Sequence, residues 1–134
     1  MKQTILLVED EQPLVRLYQQ VFERHSTYTL LVAQTKEQGI ELAIKHRPKL
    51  LLLDLIIPER PGEMVAYDRR VGFDLLADLR QHPKTRQLVV FVFSNIDTHE
   101  DRIRSEELGV AEYLVKAAET PASVIEKVHQ YVTV

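Results

Sequence analysis

The chain has 134 residues, the size of one ordinary domain built around a single core. Its 45% apolar and 28% charged residues are a globular balance, with no apolar run near the roughly 20 residues that span a bilayer, and the absence of cysteine excludes disulfides, thiolate metal sites and cysteine nucleophiles. A formal net charge of -3, with basic residues spread along the chain, gives no general attraction to nucleic acid.

Met1-Lys2-Gln3-Thr4 runs directly into an apolar strand, Thr4 to Val8, without the long hydrophobic stretch of a secretory signal, so a cytoplasmic location is the default. From Pro13 onward, Leu14, Leu17, Tyr18, Val21 and Phe22 draw one helical stripe. Tyr28 to Ala33 reads as a second strand. Thr35 with Gln38 resembles a capping box opening a helix whose inner face is Ile40, Ala43 and Ile44, ended by Pro48. Leu50 to Leu53 is apolar without alternation, as a central strand buried on both faces should be. Gly72 to Arg80 predicts a third helix and Leu88 to Phe93 a fourth strand. Thr98 to Leu108 predicts a mostly charged, weakly held helix with Ile103 and Leu108 as its apolar anchors and Gly109 at its end. Glu112 to Val115 is a short last strand, and Thr120-Pro121 opens a helix carrying Val124, Ile125, Val128 and Tyr131. Tyr18, Phe22 and Phe73 are read as core, and the five histidines as surface residues without metal-ligand spacing.

Alternating strands and helices make a parallel sheet covered on both faces, and such sheets bind ligands at the carboxyl ends of their strands. Those ends carry Glu9-Asp10-Glu11, Asp54, Ser94-Asn95 and Lys116. Clustered carboxylates repel unless a cation or protons neutralise them, and Mg²⁺ suits hard oxygens and bridges carboxylates to phosphate. A carboxylate can attack phosphorus, and the charge it then carries calls for a metal, a hydroxyl and an ammonium.

The segments Ile5 to Glu11, Leu53 to Pro58, Gly72 to Leu76, Ser94 and Tyr113 to Lys116 are, in order and across essentially the whole chain, similar to the signature segments of response-regulator receiver domains, the CheY-like superfamily of two-component signalling. The resemblance implies a flavodoxin-like, doubly wound α/β fold with five parallel strands in order 2-1-3-4-5 and five helices. It implies Asp54 as phosphoacceptor, and Mg²⁺ held by Asp10, Asp54 and the backbone carbonyl of Ile56, with Glu9 acting through water. Ser94 and Lys116 would take phosphoryl oxygens. Tyr113 would be the aromatic that turns inward on activation, switching the surface of the fourth helix, fifth strand and fifth helix. The implied partners are a histidine kinase or histidine phosphotransfer protein, a dimer is allowed, and no membrane or direct nucleic-acid contact is expected.

Four features depart from the family. Glu9 stands for the usual Asp, Asn95 for a small residue, and Ala117 for the proline whose cis peptide often shapes that loop. The intervals from Asp54 to Ser94 and to Lys116 are both longer by about ten residues, while strand-to-helix loops usually run about 2–6. One insertion at about 59–71 within a single domain, 1–134, accounts for both. Its mixed charges and its Met64, Val65 and Tyr67 suggest that it frames the site and tunes which partner reaches Asp54.

Three other functions fit the sequence less well. A phosphohydrolase similar to the haloacid dehalogenase family needs a second acid two residues after the nucleophile, where this chain has Ile56. A flavin or nucleotide binder needs a glycine-rich loop after the first strand, and none is there. A pseudo-receiver that binds partners without phosphorylation is opposed by intact Asp10, Asp54, Ser94 and Lys116.

Overall fold

A computed structural model describes residues 2–132. Five strands, β1 (Gln3–Val8), β2 (Tyr28–Ala33), β3 (Leu50–Leu53), β4 (Val89–Ser94) and β5 (Glu112–Val115), pair in parallel in the order β2-β1-β3-β4-β5. Between and after them lie α1 (Gln12–Glu23), α2 (Lys36–His46), α3 (Val71–Gln81), α4 (His99–Glu107) and α5 (Pro121–Tyr131), with one turn of 3-10 helix at Lys116–Ala118. The expected fold class and strand order are observed, and β4 is shifted one residue later than the apolar run suggested.

Successive side chains on a strand face opposite ways, so one strand feeds two cores. Leu50 and Leu52 join Tyr18 and Phe22 of α1 and Val124 and Val128 of α5. Leu51 and Leu53 join Ala43 of α2 and Leu75, Leu76 and Leu79 of α3. All four leucines are fully buried, each contributing about 1.5–3 kcal/mol by leaving water. Gly39 lets α2 close on α3 and on β1: a Cβ there would come 2.8 Å from Leu75 Cδ1 and 3.1 Å from Val8 Cγ2.

The structure departs from the sequence pattern at several places. Leu17, assigned to the stripe of α1, is 42% exposed, and Val15 is buried in its place beside the expected Tyr18 and Phe22. Thr35 Oγ1 accepts from Gln38 N (3.1 Å) as expected, but the Gln38 carboxamide accepts from Gln34 N rather than from Thr35, so the box is half formed. The complete capping box is at α5, between Thr120 and Ser123. Ile103 does not anchor α4: it is 44% exposed, and the helix turns Asp101 and Ser105 inward.

Polar contacts therefore hold α4. Thr98 caps its start, accepting from Asp101 N, and Gly109, at φ 72°, closes its end with bonds from Gly109 N to Glu106 O and from Val110 N to Ser105 O. Arginines from the two ends of α3 grip both termini. Arg70 Nε reaches both Asp101 carboxylate oxygens at 3.2 and 3.3 Å, while Arg80 donates to the carbonyls of Leu108 (2.8 Å), Gly109 (3.2 Å), Arg86 (3.1 Å) and Leu88 (2.7 Å).

Residues 54–70 form neither helix nor strand. Leu55, Ile57 and Pro58 are buried, and the chain then crosses the start of α2, where the carbonyls of Pro58 and Glu59 accept from Lys36 N (2.9 Å) and Glu37 N (3.0 Å). Two donors that a helix start leaves unpaired are satisfied this way. The segment turns at Gly62 (φ 84°), and a Glu59–Arg69 ion pair at 2.6 Å closes its base.

Candidate functional site

The strand ends deliver their polar residues to one edge of the sheet. Asp54 follows β3 and is 4% exposed. Its Oδ1 accepts from Ile56 N at 3.2 Å, and its Oδ2 receives Lys116 Nζ at 2.9 Å. Lys116, just beyond β5, also stands 2.5 Å from Glu9 Oε1. Glu9 is fully buried, and its Oε2 accepts from the backbone N–H groups of Asp10 (3.1 Å) and Glu11 (3.2 Å). Its Oε1 faces the Lys116 ammonium.

These carboxylates are under strain of charge. Burial, reinforced by Asp54 and opposed by Lys116, pushes the Glu9 carboxyl up to about 8. Burial also raises that of Asp10, with the neighbouring Asp54 and Glu11 adding to it. For Lys116 burial acts against the ammonium, but Asp54 and Glu9 more than offset it and the net shift is upward. Carboxylate oxygens of Glu9, Glu11 and Asp54 lie within 4.8 Å of one another. Three hard oxygen donors this close together fit a small divalent cation.

A cleft of about 140 Å³ opens over Asp54. Its polar wall includes Asp10, Glu11, Ser94, Asn95 and Lys116, and its apolar wall is Ile56, Val65, Tyr67 and Ile96. Ser94 is buried at the end of β4, and its Oγ accepts from Ile96 N at 3.2 Å. The Tyr113 hydroxyl donates to the carbonyl of Ile96, so the ring is already tied to the β4–α4 loop, with the Arg102 guanidinium 4.7 Å from its centroid. Burial, with Asp101 and Asp97 nearby, pushes its phenol up to about 12.

The structure thus gathers Asp54, Glu9 and Lys116 in direct contact, and lines the same cleft with Asp10, Ile56 and Ser94. It adds roles that the sequence did not assign. Glu11, rather than Asp10, completes the close carboxylate trio. Asn95 Oδ1 accepts from Ala117 N at 2.9 Å, tying the Lys116 turn to the end of β4, and every described peptide bond is trans. Gly72 lets α3 start against Asp54: a Cβ there would come 2.4 Å from the Asp54 carbonyl oxygen and 2.7 Å from Leu55 Cα. Its glycine-leucine setting was visible in the sequence, but the close approach was not.

The family model of the response regulator receiver domain matches residues 5–129. This chain belongs to the response-regulator receiver family. Among relatives of this receiver, the response regulator Rcp1 of Synechocystis sp. is 32% identical over 122 residues, covering 84% of this chain and 76% of its own. The transcriptional regulatory protein SrrA of Staphylococcus aureus is 30% identical over 128 residues; the receiver spans about half of it, 47%. In structure, the Mn²⁺-bound form of Rcp1 superposes with a TM-score of 0.73 at 25% identity, covering 98% of this chain and 96% of that one. The chemotaxis response regulator CheY4 of Vibrio cholerae gives 0.79 at 14% identity, covering 98% and 100%, a likeness of fold. The receiver is a signalling domain of two-component systems, a class that works with histidine kinases and phosphotransfer proteins. No described helix is long and apolar enough to cross a membrane.

Proposed function

We propose that Asp54 is the phosphoacceptor of this receiver, accepting a phosphoryl group from a histidine kinase or histidine phosphotransfer protein in the cytoplasm. The observation that carries this reading is the position of its carboxylate: nearly buried, facing a cleft, with the Lys116 ammonium at 2.9 Å. An Asp54 oxygen bonds to phosphorus as the bond from phosphorus to the donor histidine nitrogen breaks, its electron pair leaving with that histidine, and the charge gathered on the phosphoryl oxygens falls to Lys116 and to the Ser94 hydroxyl. Asp10, Asp54 and the Ile56 carbonyl, with Glu9 acting through water and Glu11 as a further donor, would hold Mg²⁺, which would supply positive charge against the phosphoryl oxygens. That Rcp1 has a Mn²⁺-bound form supports a divalent site in this relative. Ser94, drawn to the phosphoryl group, moves the loop that carries Ile96, and Tyr113, bonded to that carbonyl, passes the change to α4, β5 and α5.

The whole of 1–134 acts as one domain whose insertion is the segment at about 59–71. The domain signals rather than turns over an external substrate, although it promotes its own phosphorylation and dephosphorylation. Ile56 supplies no general acid, which weighs against a phosphohydrolase, and the ion pair poised on Asp54 weighs against a phosphorylation-independent pseudo-receiver.

Intact mass after incubation with Mg²⁺ and acetyl phosphate tests the assignment. The wild type should gain one phosphoryl group, chelation should suppress the gain, and Asp54→Asn should abolish it. Equal labelling of the variant refutes it.

A further inference from the structure

The segment 54–70 is held at both ends and carries two side chains back over the site. At its start, Pro58 and Glu59 are hydrogen-bonded to the first turn of α2. At its finish, Arg69 closes on Glu59, and Arg70 binds the Tyr67 carbonyl with Nη1 at 3.0 Å while its Nε holds Asp101. Residues 60–68 are therefore an arch on fixed piers, and Val65 and Tyr67 form part of the wall of the Asp54 cleft. Val65 is half-buried there, although Met64 beside it is 93% exposed.

We propose that Val65, with Tyr67 beside it, is a shutter on this cleft: it sets how long an acyl phosphate on Asp54 survives and how large a phosphodonor can enter. The inference rests on Asp54 being the phosphoacceptor. The cleft of about 140 Å³ over Asp54 is walled on one side by these two side chains, so a phosphoryl group on Asp54 shares its space with them. Hydrolysis still needs one water in line with the breaking bond: its oxygen forms a new bond to phosphorus, and the bond from phosphorus to the Asp54 oxygen breaks. The electron pair of that bond returns to the carboxylate, the proton leaves with phosphate or solvent, and inorganic phosphate departs. The Val65 side chain occupies cleft wall without offering such a water any hydrogen-bond partner, and Ile56 and Ile96 continue the same apolar surface. A water there is disfavoured, and so is a donor whose leaving group is bulky. Val65 and Tyr67 are specificity-determining residues for phosphotransfer, contributed by the segment that interrupts the usual strand-to-helix connection.

The test uses the full chain, phosphorylated with acetyl phosphate and Mg²⁺, freed of donor, and followed by intact mass. Val65→Ala should shorten the half-life of the phosphoprotein by about three- to tenfold. It should also raise the labelling rate with the bulkier benzoyl phosphate more than the rate with acetyl phosphate, a ratio that general loosening of the fold would not change. Tyr67→Ala should move both quantities the same way, and because Tyr67 is 79% exposed the variant is expected to fold. If Asp54→Asn loses its label while decay and donor ratio in both variants stay within error of wild type, the shutter is overturned and the phosphoacceptor stands. If Asp54→Asn labels as the wild type does, both are overturned.

Discussion

Lys116 is the cation on which the acidic edge depends, because Glu9 and Asp54 both lean on one ammonium that is itself mostly buried. Replacing it with Met should leave the buried Asp54 carboxylate without its cation while Glu9 moves further toward the neutral acid, a loss of about 3–5 kcal/mol in metal-free buffer. Urea unfolding with and without Mg²⁺ checks this, and the deficit should shrink when the cation is added. The tyrosines give a pH prediction. Burial pushes Tyr18 as well as Tyr113 up to about 12. A raised phenol favours the protonated native state, so this stability is complete below about pH 10, where the unfolded phenol ionises, and is lost as pH rises toward 12. Absorbance titration at alkaline pH should show Tyr18 and Tyr113 ionising late, with Tyr28 and Tyr131 also raised, and Tyr113→Phe should remove one of the late pair. Asp54, Ser94 and Lys116 were legible in the sequence because a strand end fixes where its next residue points. Which of Glu9, Asp10 and Glu11 folds inward was not, since that depends on the backbone turn just after β1.

Among the elements, α4 shows where sequence pattern runs short. Thr98 and Gly109 mark its ends correctly, because caps are local. Its inner face was misread because Ile103 was assumed to point inward, whereas the Arg70–Asp101 pair and the Ser105 bond to the Asp101 carbonyl set the face. Arg70→Gln should cost about 1–3 kcal/mol of local stability, read as faster hydrogen exchange in residues 99–107 with β1 and β3 unchanged. Exchange with beryllofluoride should differ across residues 94–116 if Ser94 and Tyr113 carry the signal to this helix. The start of α3 gives a second case. Gly72→Ala forces a methyl group against the Asp54 carbonyl, and urea unfolding should show a loss of about 1–3 kcal/mol or more.

At the scale of the molecule, alternation of apolar strands and striped helices was enough to predict a covered parallel sheet, whereas the order β2-β1-β3-β4-β5 came with the family resemblance. Strand order is a long-range property that periodicity does not encode. The path of residues 58–70 was equally hidden, because ion pairs such as Glu59–Arg69 and Arg70–Asp101 depend on which distant groups the fold brings near. The sheet and its two cores are stabilised by apolar burial, and the acidic edge detracts from that until a cation arrives. Mg²⁺ at a hundredfold excess over its dissociation constant should add about 2.7 kcal/mol, measured as a rise in Tm that Asp54→Asn reduces. The polar mounting of α4 carries a thermal consequence. Releasing apolar surface raises heat capacity and releasing polar surface lowers it, so detaching a helix gripped by Arg70 and Arg80 should have almost none of the heat-capacity increment of global unfolding. Cooling past the temperature of maximum stability weakens the hold of the sheet but not of α4, and hydrogen exchange followed from about 5 to 35 °C should find a nearly straight line for this helix beneath the curved one of the core.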